Sequence, residues 1–301
     1  MKQIVIISGK GGTGKTFITS SIAAIAENNV ISDCDVDAAD LHLMLSPVIK
    51  EKHIFKSGKV AILNKELCTG CGECINVCRF DAITPYENIV TIDPISCDGC
   101  GICARICPVG AIEMEEKVSG EWYISETKYG PMVHAKLNIA EENSGKLISV
   151  IRKKASEIAE MEKRDSIIID GSPGIGCPVI SSISGTDCAI VVTEPTMSGL
   201  HDAERVIKTA RHFGISPCMI INKYDLNIEM SRKIEDYAQA EDIPVIGKIP
   251  FDEEVVEAII KGVPIVEYSK GEIVDNLYSI WDRVLDILKL KDERIKKDAI
   301  K

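Results

Sequence analysis

The sequence predicts a doubly wound α/β domain with a mainly parallel sheet, interrupted by a small inserted α+β module. Three observations carry this. Apolar strand-like runs alternate with amphipathic helical stretches along most of the 301 residues, the pattern of βαβ units on a parallel sheet. A glycine-rich loop, Lys10-Gly11-Gly12-Thr13-Gly14-Lys15-Thr16, sits between the first such strand and the first such helix. The stretch from about Ala61 to Met114 breaks the alternation with eight cysteines in two similar runs.

The elements follow in order. Strands are predicted over Gln3–Ser8, Val30–Asp33, Ser166–Asp170, Cys188–Thr193, Pro217–Asn222 and Val245–Ile249. These are short, nearly continuous apolar runs of the kind buried on both faces. Helices are predicted over Lys15–Glu27, Lys146–Lys163, Gly199–Phe213, Ile228–Glu241, Asp252–Lys261 and Gly271–Leu290. The last is amphipathic, with Trp281 and Leu285 on one stripe, and is expected to pack on the sheet. Within 61–114, Cys68–Ile83 and Cys97–Ile112 share the pattern C-x-G-C-G-x-C-x-x-x-C-x-x-x-A-I, which marks an internal duplication. Domain-type segments lie on both sides, so residues 61–114 are expected to be an insertion between 1–60 and 115–301. Residues 122–136 are expected to bring the chain back as a hairpin or loop.

Composition narrows the function classes. The net charge of −11 argues against nucleic acid, which needs a basic face. No segment is long and apolar enough to span a bilayer. Met1 leads straight into a strand, so neither a leader nor a stable membrane anchor is expected, and the expected location is cytoplasmic. From Lys289 to Lys301 Lys/Arg alternate with Asp/Glu, which reads as a solvated tail. Twelve cysteines in such a compartment are not expected to form disulfides.

The glycine-rich loop meets the full G-x4-G-K-[ST] pattern, with Gly9 and Gly14 as the fixed glycines. Gly11, Gly12 and Gly14 let backbone N–H groups wrap phosphates at a helix N-terminus. Thr13 and Phe17 complete the run expected to contact nucleotide. Lys15 brings charge to the β/γ-phosphates, and the Thr16 hydroxyl is placed for Mg²⁺. The cysteines, Cys68, Cys71, Cys74, Cys78 and Cys97, Cys100, Cys103, Cys107, form two runs of C-x2-C-x2-C-x3-C. That spacing belongs to two-cluster iron–sulfur proteins, where the fourth cysteine of each run ligates the other cluster. One [4Fe–4S] cluster would take Cys68, Cys71, Cys74 and Cys107; the second would take Cys97, Cys100, Cys103 and Cys78. Zinc is disfavoured by the two runs of four. Pro108 follows the second run, whereas Arg79 follows the first, a difference expected to touch cluster potential rather than ligation.

With Lys10 preceding its glycines, the loop resembles the deviant Walker A of the MinD/Mrp superfamily of P-loop ATPases, in particular those with an inserted two-cluster ferredoxin domain. The resemblance spans nearly the whole chain. It includes Asp35-Val36-Asp37-Ala38-Ala39-Asp40-Leu41, Tyr129-Gly130-Pro131-Met132-Val133-His134-Ala135, Glu142-Asn143-Ser144-Gly145-Lys146-Leu147, Pro173-Gly174-Ile175-Gly176-Cys177-Pro178 and Thr193-Glu194-Pro195-Thr196. Relatives usually carry Pro where this chain has Ala39.

The resemblance implies roles. Lys10 would reach the nucleotide of a second subunit across an ATP-dependent homodimer. Asp35 would orient the attacking water or hold Mg²⁺, and Asp170 would bind Mg²⁺ through water as a Walker B aspartate. Gly174 would present its N–H to the γ-phosphate. Asn222, Lys223, Pro250 and Asp252 fall where the group holds adenine. Asn222-Lys223-Tyr224-Asp225 also fits the guanine motif N-K-x-D, so both bases stay open, with adenine favoured. Cys177 opens a predicted helix and is either a functional thiol or a small buried residue like Cys34, Cys188 and Cys218. The implied activity is a slow, partner-stimulated ATPase using ATP/ADP and Mg²⁺. It serves metallocluster assembly or ATP-gated electron delivery to an unidentified protein; a spatial regulator of the MinD or ParA kind is the weaker reading.

Overall fold

The structure is a computed structural model that describes residues 1–138, 141 and 144–298, with side chains through Lys289. The chain divides into two compact units, Met1–His53 with Trp122–Lys136 and Ser144–Lys301, and Ile54–Glu121 with Leu137–Asn143. The strands are β1 (Lys2–Ser8), β2 (Asn29–Asp33), β3 (Val48–Leu63), β4 (Ile83–Tyr86), β5 (Ile89–Ile92), β6 (Ile112–Thr127), β7 (Gly130–Leu137), β8 (Ser166–Asp170), β9 (Cys188–Thr193), β10 (Ser216–Asn222) and β11 (Val245–Ile249). The helices are α1 (Lys15–Ile25), α2 (Leu41–Leu45), α3 (Glu73–Val77), α4 (Ile102–Ile106), α5 (Ser144–Met161), α6 (Cys177–Ile183), α7 (Met197–His212), α8 (Ile228–Ala240), α9 (Glu253–Lys261), α10 (Ile265–Tyr268) and α11 (Glu272–Asp298).

Among the described residues one nine-stranded sheet has the order β11-β10-β9-β1-β8-β2-β7-β6-β3. The central pairings, β1 with β8 and β9, β2 with β7 and β8, and β10 with β9 and β11, are parallel. The mainly parallel α/β fold expected from the sequence is therefore present. Ile4, Val5, Ile6 and Ile7 of β1 and Ile167, Ile168 and Ile169 of β8 are essentially without exposure. Helices cover both faces, so these strands need no polar alternation.

Two differences from expectation are physical. The long strands β3 and β6 were not predicted. Their sequences mix Lys and Glu among the apolar positions, and most of their residues are at least partly exposed, so neither shows a buried run or a strict period of two. Residues 122–136 are a hairpin, as expected, made of the end of β6 and most of β7 around a turn at Lys128–Tyr129. The C-terminal helix extends beyond its expected end. Its buried stripe is Ile273, Val274, Leu277, Ile280, Val284 and Leu288, with Trp281 half-buried beside it. Burying each large side chain contributes about 1.5–3 kcal/mol, which explains why this helix packs rather than projects. Of the stretch Lys289–Lys301 read as a solvated tail, Lys289 is exposed and residues 290–301 lie outside the described side chains, as do Glu142 and Asn143. No described helix is long and apolar enough to cross a membrane.

The second unit is built on the duplication. Each repeat turns through its cysteine loop into a five-residue helix, α3 or α4, and the two helices pack together. Gly70 and Gly99 occupy equivalent left-handed positions, φ +66° and +71°, and a side chain at either would collide with backbone, at Asn88 and Lys59 respectively. Strands β4 and β5 pair antiparallel, Ile83 with Ile92 and Tyr86 with Ile89. The core here is small: Ala61, Cys74, Ile83, Val90, Cys103 and Ile112.

Candidate nucleotide site and the cysteine pockets

The phosphate loop leaves the carboxyl end of β1, the central strand between β8 and β9. Asp33 and Asp170 end the adjacent strands β2 and β8 and stand side by side in register. This is where open α/β sheets place ligands. Lys15 Nζ donates to Asp170 Oδ1 at 2.8 Å and lies 3.3 Å from Asp35 Oδ2. Thr16 Oγ1 donates to Asp170 Oδ2 at 3.0 Å. The buried Thr19 hydroxyl donates to Asp170 Oδ1 at 2.8 Å.

The electrostatics follow from burial. Desolvation alone would pull Lys15 down, but Asp170 and Asp35 outweigh it and hold the ammonium charged, with a pKa of about 12. Burial raises Asp35 against the pull of Lys15. Burial, then the charge of Asp170, pushes Asp33 well above the usual carboxylate range; its Oδ2 has no hydrogen-bond partner. One buried cation therefore serves three carboxylates. A phosphate and a divalent cation would rebalance such a cluster, since the phosphate can take Lys15 and the cation the carboxylates.

The remaining expected residues are placed as follows. Gly11 and Gly12 face open space, while Gly14 sits at φ +90° with Asn222 Nδ2 where its Cβ would be. Asn222 Nδ2 donates to Thr13 O at 2.8 Å, so one of its two amide N–H groups positions the loop, leaving the second N–H and Oδ1 for a base. Thr13 Oγ1 is buried without a partner. The Phe17 side chain is in the core, which leaves only its backbone for nucleotide. The Gly174 N–H donates to Ser8 O at 2.9 Å instead of standing free for a γ-phosphate. Asp252 caps α9, its Oδ1 accepting from Glu254 N at 2.8 Å. Pro250 precedes it, and Phe251 N donates to Asp225 Oδ1 at 2.7 Å. Lys10 Nζ lies 2.5 Å from Glu194 Oε1 and 3.3 Å from Ser198 Oγ, and Lys223 lies 3.8 Å from Glu194 Oε2. Sequence reasoning gave no role to Thr19, Asp33 or Glu194. Thr19 was legible from spacing, four residues after Lys15 on one helical face; Glu194 was not.

Gly14→Ala should lower stability by ~1–3 kcal/mol, the cost of a side chain in a left-handed position, compounded by Asn222. Gly11→Ala, whose Cβ meets nothing, should stay within ~0.5 kcal/mol. Urea unfolding of the two variants side by side checks this.

In the second unit the cysteines converge on two cavities. One is lined by Cys68, Cys71, Cys74 and Cys107; the other by Cys78, Cys97, Cys100 and Cys103. The fourth cysteine of each run thus lines the cavity of the other run. All twelve cysteines are free thiols. Among the described residues no three His, Cys, Asp or Glu side chains are grouped to hold a single metal ion. Burial would raise Cys107, but the N–H groups of Ala111, Val109, Gly110 and Ile112 outweigh it and lower its pKa, Ala111 N standing 3.3 Å from Sγ. Elsewhere, Cys34 is buried and pushed up to about 12, Cys188 and Cys218 are buried together, and Cys177 is exposed at the start of α6.

Residues 4–265 match the CbiA family, the CobQ/CobB/MinD/ParA nucleotide-binding domain. The chain belongs to this family. It is a P-loop, ATP-binding NTPase of the MinD/ParA type. An uncharacterized protein of Methanocaldococcus jannaschii is 35% identical over 293 residues, covering 95% of this chain and 97% of its own. Among solved structures, the septum site-determining protein MinD with Mg-ADP from Pyrococcus horikoshii is 20% identical with a TM-score of 0.56, covering 94% of this chain and 95% of that one. A chain of the MinC:MinD cell division protein complex of Aquifex aeolicus gives 20% and 0.57, with 95% and 96% covered. At these identities the two structures speak to fold alone.

Proposed function

We propose that this chain is an ATP-hydrolysing iron–sulfur protein in which ATP closes a homodimer and thereby gates the assembly or transfer of metal–sulfur clusters. The observation that carries the reading is the pair of cysteine cavities with exchanged fourth ligands, in the same chain as the Lys15–Asp170–Thr16 phosphate site. The thiols present suit two four-iron groups in number, spacing and backbone N–H support. The small core of the second unit adds to this, because a unit of that size usually needs a metal or disulfides to hold it, and no disulfide is formed. When bound, the clusters would supply one-electron redox chemistry.

In the nucleotide site, Lys15 leaves Asp170 for the β/γ-phosphates, while Thr16 and Asp170 hold Mg²⁺. Asp35 orients the water that attacks the γ-phosphorus, giving ADP and phosphate. Lys10 of each chain neutralises charge on the other chain's nucleotide. Adenine is favoured over guanine because one oxygen of Asp225, the residue that would read guanine, is already taken by Phe251 N–H. Electron delivery to a partner protein is the second reading, favoured by the same cavities. A positioning role rests on the likeness to MinD folds, and it leaves the eight cysteines without a use.

The test is to block hydrolysis with Asp35→Ala, add ATP, and measure mass by light scattering with and without Lys10→Ala. A dimer that forms with Asp35→Ala and is lost on adding Lys10→Ala is expected. An Asp35→Ala protein that stays monomeric in saturating ATP contradicts the sandwich mechanism.

A further inference from the structure

Lys10 does not wait free for a second subunit. Its ammonium is 2.5 Å from Glu194 and 3.3 Å from the Ser198 hydroxyl, both in the segment that leaves β9 and enters α7. That segment is well seated. Thr196 Oγ1 accepts from Gly199 N at 2.9 Å, capping α7, and is 3.2 Å from Ser198 Oγ. Gly9, just before Lys10, lies so close to Asp202 that a side chain there would strike its backbone. Glu194 also faces Lys223 at 3.8 Å, so a single carboxylate gathers two lysines, Lys10 and Lys223, that border the expected nucleotide site. Its side chain is only 18% exposed and that of Lys10 is 31% exposed, which weakens solvent screening of the pair.

We propose that Glu194 is a positioning residue that holds Lys10 within its own chain, so that dimer closure must first break this ion pair. The inference rests on the sandwich reading above and adds what opposes closure. Lys10 cannot serve Glu194 and a partner's phosphates in one geometry, so nucleotide has to compete for it. Two such pairs break per dimer. Each partly buried pair is worth about 5-fold in an equilibrium constant, so losing both gives up to about 25-fold. The carboxylate thus keeps the ATP-bound monomer from dimerising at low protein concentration.

The experiment compares wild type with Glu194→Gln and Glu194→Asp in saturating ATP, reading the dimer dissociation constant by analytical ultracentrifugation, ATP affinity by calorimetry and turnover. Glu194→Gln should tighten the dimer by about 5- to 25-fold and raise turnover at low protein concentration, with ATP affinity unchanged at concentrations where the protein stays monomeric. Glu194→Asp, which restores a carboxylate, should return most of the way to wild type, an effect that loss of packing would not give. If wild type dimerises and Glu194→Gln dimerises equally or less well, the inference fails while the sandwich stands. If wild type never dimerises, the sandwich fails and takes this inference with it. Should Glu194→Gln not fold, Ser198→Ala removes the second partner of Lys10 and must tighten the dimer by about 2-fold; no change there also overturns the proposal.

Discussion

Lys15→Ala should weaken ATP binding by at least ~100-fold. A lysine that makes charge-assisted contacts to phosphate contributes about 1.5–3 kcal/mol per hydrogen bond, and Lys15 is the buried cation facing Asp170 and Asp35. Its removal also leaves Asp33, Asp35 and Asp170 together without it, which costs on the order of 3–5 kcal/mol when one partner of a buried pair is lost. The two effects separate by pH. Asp33 and Asp35 already have raised pKa values, and without Lys15 they rise further. The folded variant then binds more protons than the unfolded chain, so its stability falls as pH rises and recovers as pH falls. The stability deficit against wild type should therefore shrink between pH 7 and pH 5 in urea unfolding. Calorimetry on the folded variant that returned full ATP affinity would remove Lys15 from the phosphate site.

Anaerobic reconstitution should load about eight irons per chain, from two four-iron sites with four thiolates each. The exchange of the fourth cysteine makes a sharper expectation. In a background of Cys97→Ser, Cys100→Ser and Cys103→Ser, about four irons should remain, held by the cavity of Cys68, Cys71, Cys74 and Cys107. Adding Cys107→Ser should then lose most of that iron, whereas adding Cys78→Ser should leave it. Cys78 is in the same run as the retained ligands but lines the other cavity. Iron that tracks Cys78 rather than Cys107 means each run closes on its own cluster. Zinc in place of iron means the spacing was misread.

The phosphate loop and the strands that carry it are local in sequence. A buried run such as Ile4-Val5-Ile6-Ile7, followed at once by glycines and a Lys-Thr helix start, has little choice of structure, and the strands at Ser166–Asp170, Cys188–Thr193 and Val245–Ile249 came out with the expected bounds. The cysteine runs were equally legible, because their spacing is itself the chemical signal. Long-range relations were not. Which strands flank β1 depends on pairings between residues more than a hundred positions apart. The charged strands β3 and β6 take their conformation from neighbours rather than from their own periodicity. So too the pairing of Lys10 with Glu194, the donation of Asn222 to Thr13 O, and the spending of the Gly174 N–H on Ser8 O. Each joins groups that are polar and unremarkable in their own segments. Residue type and spacing determined that this chain has a phosphate loop and two four-cysteine runs. Only the packed sheet decided which charges face each other there, because Coulomb and hydrogen-bond energies depend on distance in space and burial, neither of which is written along the chain.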